Sequence, residues 1–389
     1  MTQRPRLVSI AGRAAIAIPI AALVVLLLAT ARGLWQQNAV THAQIYQAVA
    51  RHLGAARARR VPSFVLFHRA VPYPPCSAFD EVAWNALSPD RPAVYLFGES
   101  SLTLSDGKRV DYFLGRALRE RFPDVSMINF AYCGIDSFFI RQWVDEAMAG
   151  RGEPPRLVIL YFGHNDYNNA HAEAISPLYN QFPWAMWLAY KLSRLNWDNA
   201  DWSRRLNTGP EVKWAQKLGL VRIPSEGLCM HNELILAAFA ENLAAIVATC
   251  HAHSVPVIVV TPVGNLRLEP YGSISEVTVP FERGRSEPDY GRSLRLLRQA
   301  RDAAHLTADT AAKTPLIELI RGLHAPDVFP LDFEALLERE SFDFGSSGFT
   351  DYLHLRESLH ERLARALYDL IVANPELTAR LAAKGPLAK

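Results

Sequence analysis

Two adjacent serines follow a short apolar run in the first third of the chain. Residues 94–97 have strong strand character, and Gly98, Glu99, Ser100 and Ser101 come directly after them. A hydroxyl just past the carboxyl end of a buried strand lies where open α/β sheets bind ligands. A turn there also brings helix N–H groups close enough to stabilise an oxyanion. Ser100 is therefore a candidate nucleophile, although a strand-to-helix turn capped by a serine explains the same residues.

An acid and a histidine stand close together near the C-terminal end. Asp351 and His354 precede residues 357–372, which have helical periodicity. A carboxylate three residues before a histidine on a turn can fix the imidazole tautomer and leave the other ring nitrogen facing a serine. Taken alone, the pair is also typical of helix capping. Together with Ser100 it supplies the nucleophile, base and orienting acid that acyl transfer needs.

Two further predicted strands end in glycine-bearing turns. One turn contains Cys133 and Gly134, and the other runs from Gly163 through His164 and Asn165 to Asp166. The carboxyl ends of parallel strands lie along one edge of a sheet, so these turns can converge on Ser100. The main-chain N–H groups of Ser100 and Gly134 and the side-chain amide of Asn165 are then candidate oxyanion donors.

The elements that must position these residues alternate between strand and helix from about residue 92. Strands are predicted at residues 93–97, 125–131, 157–162 and 255–261, with helices between them. Near-continuous apolar strands separated by helices indicate a parallel sheet covered on both faces. A fifth strand is expected around residues 316–320, although that run equally fits the end of a helix.

The order and spacing of these residues resemble the SGNH, or GDSL-type, hydrolase superfamily over roughly residues 92–373. The four signature residues of that family correspond to Ser100, Gly134, Asn165 and His354, and Asp351 completes the Asp-x-x-His pattern. The resemblance implies a three-layer α/β/α, flavodoxin-like fold with a parallel sheet. It also implies hydrolysis of a carboxylic ester through an acyl-enzyme, with Ser100, Asp351 and His354 as the catalytic residues.

Two positions beside these motifs are candidate substrate contacts, and one departs from the family pattern. His164 lies between Gly163 and Asn165, and Asn265 follows the fourth predicted strand. Either residue fits an ordinary turn equally well. The family's usual Asp before the nucleophile is Glu99 here, which keeps the charge and lengthens the arm.

The N-terminal region predicts a membrane segment. Residues 14–31 carry no charge, and Arg4, Arg6 and Arg13 precede them. This run is long enough to span a bilayer, and the arginines orient the remainder of the chain away from the cytoplasm. We expect an uncleaved anchor with the catalytic domain extracytoplasmic, in the periplasm or at the cell surface. An A-x-A-like site at residues 29–31 leaves cleavage and secretion as the alternative.

The predicted organisation has four parts. They are a membrane anchor or signal segment (1–33), a helical stalk and linker (34–91), the hydrolase-like domain (92–375) and a C-terminal tail (376–389). An insertion at about residues 167–230 holds five of the eight tryptophans. It is interpreted either as an aromatic cap over the cleft or as a helical layer packed on the domain.

Composition excludes several classes of protein. Half of the 389 residues are hydrophobic and the formal net charge is +2, so nothing favours nucleic acid as a partner. The four cysteines, Cys76, Cys133, Cys229 and Cys250, form no CxxC pair, which argues against a zinc site. Free thiols and disulfides both remain open. No metal and no organic cofactor is expected.

The sequence therefore predicts a serine esterase acting on a small-molecule or glycan ester, such as an acylated cell-envelope glycan or a lipid. An O-acyltransferase is an alternative, because it passes through the same acyl-enzyme with the same residues. A catalytically silent envelope-binding protein is a second alternative. Intact Ser100, Asp351 and His354 argue against it, since binding alone needs none of the three.

Overall fold

A computed structural model describes Phe64 and residues 77–88, 91–149, 154–169, 227–270, 275–304 and 311–383. The predicted membrane segment and most of the tryptophan-rich insertion lie outside these residues. Among the residues that are described, no helix has both the length and the apolar character needed to cross a bilayer.

From β1 onward, the described strands are separated by helices, as the sequence predicts. The strands are β1 Ala93–Gly98, β2 Ser126–Asn129, β3 Leu157–Tyr161, β4 Val257–Val260 and β5 Val328–Leu331. The helices that precede β4 are α1 Glu81–Asn85, α2 Val110–Arg121, α3 Ser137–Ala149, α4 Asn165–Asn169 and α5 Gly227–Ala252. Those that follow it are α6 Ser275–Ser286, α7 Tyr290–Ala303, α8 Thr314–Arg321, α9 Phe333–Arg339, α10 Glu357–Ala373 and α11 Pro375–Ala382.

The five strands form one parallel sheet in the order β2-β1-β3-β4-β5. This is the order of flavodoxin-like folds. Gly98 pairs with Tyr161, and Tyr161 pairs with Val260, so the three central strands end at the same level. The loops that follow them therefore leave from one edge, which we call the carboxyl edge.

Side chains alternate between the two faces of the sheet, and each face has its own apolar core. On β1, Tyr95 and Phe97 join a cluster with Phe139 of α3, whereas Val94 and Leu96 join a second cluster on the opposite face. The first face is covered by α3, α5 and α8, and the second by α2, α6, α7 and the helices from α9 onward. The predicted sheet covered on both faces is confirmed as a three-layer arrangement.

The expected fifth strand at residues 316–320 is wrong, because that segment is helix α8. Leu316, Ile317 and Ile320 are buried at i, i+1 and i+4, which is helical spacing, and Pro315 stands in the first turn, where proline is tolerated. The fifth strand is instead Val328–Leu331, which contains Pro330. Its only partner in the described sheet is β4, and an edge strand accepts a proline that a central strand does not.

Two segments outside the predicted domain pack on it. Phe64, from the predicted linker, is fully buried and contacts the rings of Phe79, Trp84, Phe130 and Trp143. At the other end, the predicted tail begins within α11, whose Leu377 and Leu381 are buried in the core. The folded unit therefore extends beyond both predicted boundaries.

Candidate active site

The turn after β1 holds the two serines in different environments. A Cβ on Gly98 would lie 2.8 Å from the carbonyl oxygen of Tyr161, so this position needs glycine. Ser100 then begins a 3₁₀ turn that ends at Leu102, and the N–H groups of Thr103 and Leu104 donate to its carbonyl oxygen. Ser100 is 7% exposed whereas Ser101 is fully buried. The structure thus favours Ser100 as the hydroxyl that can meet a ligand.

Asp351 and His354 form a directly bonded pair. His354 Nδ1 lies 2.5 Å from Asp351 Oδ2, and Asp351 Oδ1 accepts the main-chain N–H groups of Leu353 at 3.0 Å and His354 at 2.9 Å. His354 Nε2 is buried and has no hydrogen-bond partner among the described residues. A neutral His354 that donates from Nδ1 carries its lone pair on Nε2, as a general base requires.

The electrostatics of this pair favour an ionised acid. Partial burial of Asp351 opposes its charge, but the hydrogen bond and the positive charge of His354 outweigh burial and lower the pKa of Asp351 to about 2. The carboxylate is therefore charged throughout the neutral range. It can stabilise the imidazolium that forms when His354 takes a proton.

The segment with Asp351 and His354, which we call the histidine loop, is bonded to the loop that follows the 3₁₀ turn of residues 100–102. Asp106 Oδ1 accepts the N–H of Glu357 at 2.8 Å, and Asp106 Oδ2 lies 2.6 Å from Arg356 Nη1. Asp106 thereby caps the first turn of α10 from the other loop. This contact joins the segment that carries His354 to the loop that follows Ser100.

Asn265 also holds the histidine loop. Its main-chain N–H donates to Tyr352 at 2.8 Å, its side-chain amide donates to the Asp351 carbonyl at 3.1 Å, and its Oδ1 accepts the N–H groups of Arg267 and Leu268. We predicted Asn265 as a candidate substrate contact. These bonds show that Asn265 also positions Asp351 and Tyr352, and its contact with a substrate stays a prediction.

The candidate oxyanion donors come from the loops after β2 and β3. Gly134 has φ of +73°, and a Cβ there would meet nothing within 4 Å, so glycine is favoured by backbone conformation and not by crowding. Asn165 Nδ2 donates to the Ile135 carbonyl at 2.8 Å. That bond fixes the orientation of the amide and uses one of its two N–H bonds, which leaves the second for an oxyanion.

A buried carboxylate connects the turn that carries Ser100 to residues 162–166 after β3, which we call the β3 loop. Glu99 is fully buried, and its oxygens accept the main-chain N–H groups of Gly163 at 2.9 Å, His164 at 3.0 Å and Asn165 at 3.2 and 3.3 Å. Burial and the nearby Asp166 raise the pKa of Glu99, while the three N–H groups oppose that rise. The sequence indicated an acid at this position but not the residues that it binds.

His164 is fully buried, and its Nδ1 accepts the N–H of Ala312 at 2.9 Å. Burial and the nearby charge of His354 lower the pKa of His164 to about 3, so it is neutral near pH 7. A neutral ring that accepts at Nδ1 carries its hydrogen on Nε2, which has no partner among the described residues. His164 therefore does not face solvent, and the structure shows it attaching the β3 loop to the segment before α8.

Asp166 joins the β3 loop to the β2 loop and to α5. It accepts from the Ser137 hydroxyl at 2.5 Å and from the Ser137 N–H at 3.3 Å, and the Asn242 amide donates to the same hydroxyl at 3.0 Å. Burial, and next to it the charge of Asp136, raises the pKa of Asp166 to about 8. Asp166 is therefore largely protonated at neutral pH. No group of three or more potential ligand side chains that could hold a metal occurs in the part of the chain that the structure describes.

A comparison with solved structures finds distant similarities. A lipase/acylhydrolase from Enterococcus faecalis is similar at 15% identity, with a TM-score of 0.33 over 77% of this chain and 100% of that chain. A member of the lipolytic G-D-S-L family from Veillonella parvula is 12% identical, with a TM-score of 0.34 over 72% and 96%. An acetyl xylan esterase is 10% identical, with a TM-score of 0.35 over 72% of this chain and 99% of that chain.

No family model matches the sequence, and no curated protein matches it either.

Proposed function

We propose that this protein is a serine esterase that cleaves a carboxylic ester through an acyl-enzyme. The observation that carries the proposal is the 2.5 Å contact between Asp351 and His354 Nδ1, which leaves His354 Nε2 without a partner among the described residues. Ser100, at the end of β1, is the hydroxyl that this base would serve. The oriented amide of Asn165 supports the same reading, because acyl transfer needs a donor for the developing oxyanion.

The proposed reaction has two halves. His354 Nε2 takes the proton of Ser100 Oγ as that oxygen attacks the ester carbonyl, and the Ser100 and Gly134 N–H groups and the Asn165 amide bind the oxyanion. His354 then gives the proton to the leaving alcohol, and Ser100 keeps the acyl group. Water attacks that acyl group in the second half, with His354 again as base, and the acid leaves with Ser100 restored.

The first test compares Ser100→Ala with Ser101→Ala. We expect Ser100→Ala to lower hydrolysis of an activated short-chain ester by about 10⁴-fold or more, since removing a nucleophile disables the whole catalytic unit. Ser101→Ala keeps the nucleophile and serves as the matched control, with activity within a few-fold of wild type. Equal loss in both variants, or unchanged turnover in Ser100→Ala, contradicts the assignment.

We further propose that the substrate is an acylated cell-envelope glycan or a lipid ester outside the cytoplasm. The uncharged run at residues 14–31 and the tryptophan-rich stretch at about residues 167–230 support this proposal from the sequence. Product analysis with acetylated glycans and with short- and long-chain acyl esters tests it. Release of long acyl chains alone contradicts the glycan version, and acylated product on an added acceptor sugar identifies a transferase.

A further inference from the structure

The carboxylate of Glu99 binds a different loop from the one that it begins. Glu99 occupies the N-cap position of the 3₁₀ turn that begins at Ser100, but its side chain makes no hydrogen bond to that turn. Its two oxygens instead accept three successive main-chain N–H groups, from Gly163 to Asn165. One side chain thus connects the backbone that carries the nucleophile to the backbone that carries the oxyanion donor.

The β3 loop is shaped to present these N–H groups to one carboxylate. Gly163 has φ of +126°, a conformation that favours glycine, and successive N–H groups can then converge on one anion. Removing the acceptor would leave three buried donors unpaired, and each unpaired buried donor is costly. The loop would have to rearrange, and the Asn165 side chain would move with it.

The length of the Glu99 arm therefore sets a distance that the reaction depends on. Glu99 and Ser100 are adjacent, so the nucleophile has little freedom relative to the carboxylate. Asn165 is held twice, through its main-chain N–H by Glu99 and through its side-chain amide by the Ile135 carbonyl. A displacement of about 1 Å between reacting groups can lower a rate about 100-fold.

We propose that Glu99 is a positioning residue, which fixes the separation of the Ser100 hydroxyl and the Asn165 amide through the main chain of residues 163–165. The inference rests on the proposed esterase function. It assigns to Glu99 a part in the rate of acyl transfer that goes beyond stabilising the fold.

The test uses full-length wild type, Glu99→Asp, Glu99→Gln, Asn165→Ala and the double variant Glu99→Asp with Asn165→Ala. We expect Glu99→Asp, which keeps the charge and shortens the arm by one methylene, to lower kcat about 10- to 100-fold with KM within about twofold. Glu99→Gln keeps the length but loses an acceptor oxygen, and we expect a loss of similar size. In the Asn165→Ala background, Glu99→Asp should lower kcat by less than about threefold, because the group that it positions is already gone.

Hydrogen exchange provides a readout that needs no substrate. Main-chain amides of residues 163–165 should exchange faster in both single Glu99 variants than in wild type. Glu338→Gln is the matched control, since Glu338 pairs with Arg298 and belongs to none of the loops at the site. That variant should alter neither exchange at residues 163–165 nor kcat.

Each outcome decides the proposal. Unchanged exchange at residues 163–165 overturns the claim that Glu99 holds this segment. Faster exchange with an unchanged kcat per folded molecule overturns the part of Glu99 in catalysis. The proposal is also overturned if kcat in the double variant falls by the full product of the losses in Glu99→Asp and in Asn165→Ala. If wild type turns over no ester and Ser100 does not react with a fluorophosphonate, the proposed esterase function itself is wrong. This result involves no Glu99 variant, so it is distinguishable from a failure of the positioning proposal.

Discussion

Asp351 meets His354 because its carboxylate bonds twice to the turn that they share. Its Oδ1 accepts the N–H groups of residues 353 and 354, which leaves Oδ2 directed at the imidazole. This geometry is local, so the Asp-x-x-His spacing was sufficient to predict it. The parts of Glu99 and Asn265 were not predictable in this way, because their partners lie far along the chain and are mostly main-chain atoms.

Asp351→Asn should reduce the rate with little effect on binding. An amide cannot hold the same His354 tautomer, so we expect kcat to fall by about 10⁴-fold while KM changes little. Steady-state kinetics on an activated ester measure both constants. Asp343→Asn, which alters an exposed acid on a neighbouring loop, is the control and should leave both unchanged. A fall of less than tenfold in Asp351→Asn contradicts the role of Asp351.

The raised pKa of Asp166 predicts a pH dependence of stability. An unfolded aspartate ionises near pH 4, whereas folded Asp166 has a pKa of about 8, so the folded protein keeps a proton that the unfolded chain loses. The contribution of Asp166 to the free energy of unfolding should therefore decrease as pH rises from about 4 to 8, and change little above that. Denaturant unfolding of Asp166→Asn should show a flatter pH profile across this window. Asp145→Asn, an exposed acid on α3, should keep the wild-type profile, and a wild-type profile in Asp166→Asn contradicts the prediction.

At the scale of elements, the buried strands β1, β3 and β4 were more predictable than the edge strand β5. Strands β1, β3 and β4 are buried along their whole length, so their continuous apolar runs were recognisable. The edge strand β5 is only partly buried and includes Pro330, so it lacks such a run. The apolar run of α8 was more strand-like in composition than β5 itself. The spacing of the buried residues Leu316, Ile317 and Ile320 in α8 was the better guide to its helical structure.

The contact of Asp106 with α10 predicts a link between helix capping and activity. Asp106→Ala removes the acceptor for the Glu357 N–H, and we expect the free energy of unfolding to fall by about 1 kcal/mol, as for loss of an N-cap. We also expect kcat to fall several-fold, because the same contact joins the histidine loop to the loop that follows Ser100. Thermal or denaturant unfolding together with kinetics measures the two effects.

Asp289→Ala is the matched control for that prediction. Asp289 caps α7 through the Arg292 N–H at 2.7 Å, and α7 carries none of the candidate catalytic residues. A similar loss of stability with unchanged kcat is expected. Equal effects of the two substitutions on kcat would remove the specific link between Asp106 and the site.

At the scale of the whole molecule, the folded unit begins earlier than composition indicated. The proline-rich stretch before residue 92 has the composition of a linker, yet Phe64 and Trp84 lie in the core against Phe130. Composition reports the average character of a segment, whereas burial here depends on a few aromatic side chains. Single aromatics within an irregular segment give no periodicity by which to predict them.

Truncation tests this extension of the fold. A chain that starts at residue 92 loses Phe64 and Trp84 and should unfold at much lower denaturant than one that starts at residue 62. Phe64→Ala in the longer chain should alone cost about 3–5 kcal/mol, the usual loss for a fully buried phenylalanine. Equal stability of the two truncated chains, measured by denaturant unfolding, would show that the segment before residue 92 adds nothing to the core.

The contact between Arg356 and Asp106 joins residues that are 250 positions apart, and it has a consequence for the timing of synthesis. Ser100 follows the first strand of the described sheet, whereas its proposed base, His354, lies just before α10. A nascent chain therefore exposes the hydroxyl long before it acquires the imidazole. Under the proposed mechanism, hydrolytic competence would arise only after His354 is synthesised, so a ribosome-bound or prematurely terminated product that carries Ser100 without His354 would be inert.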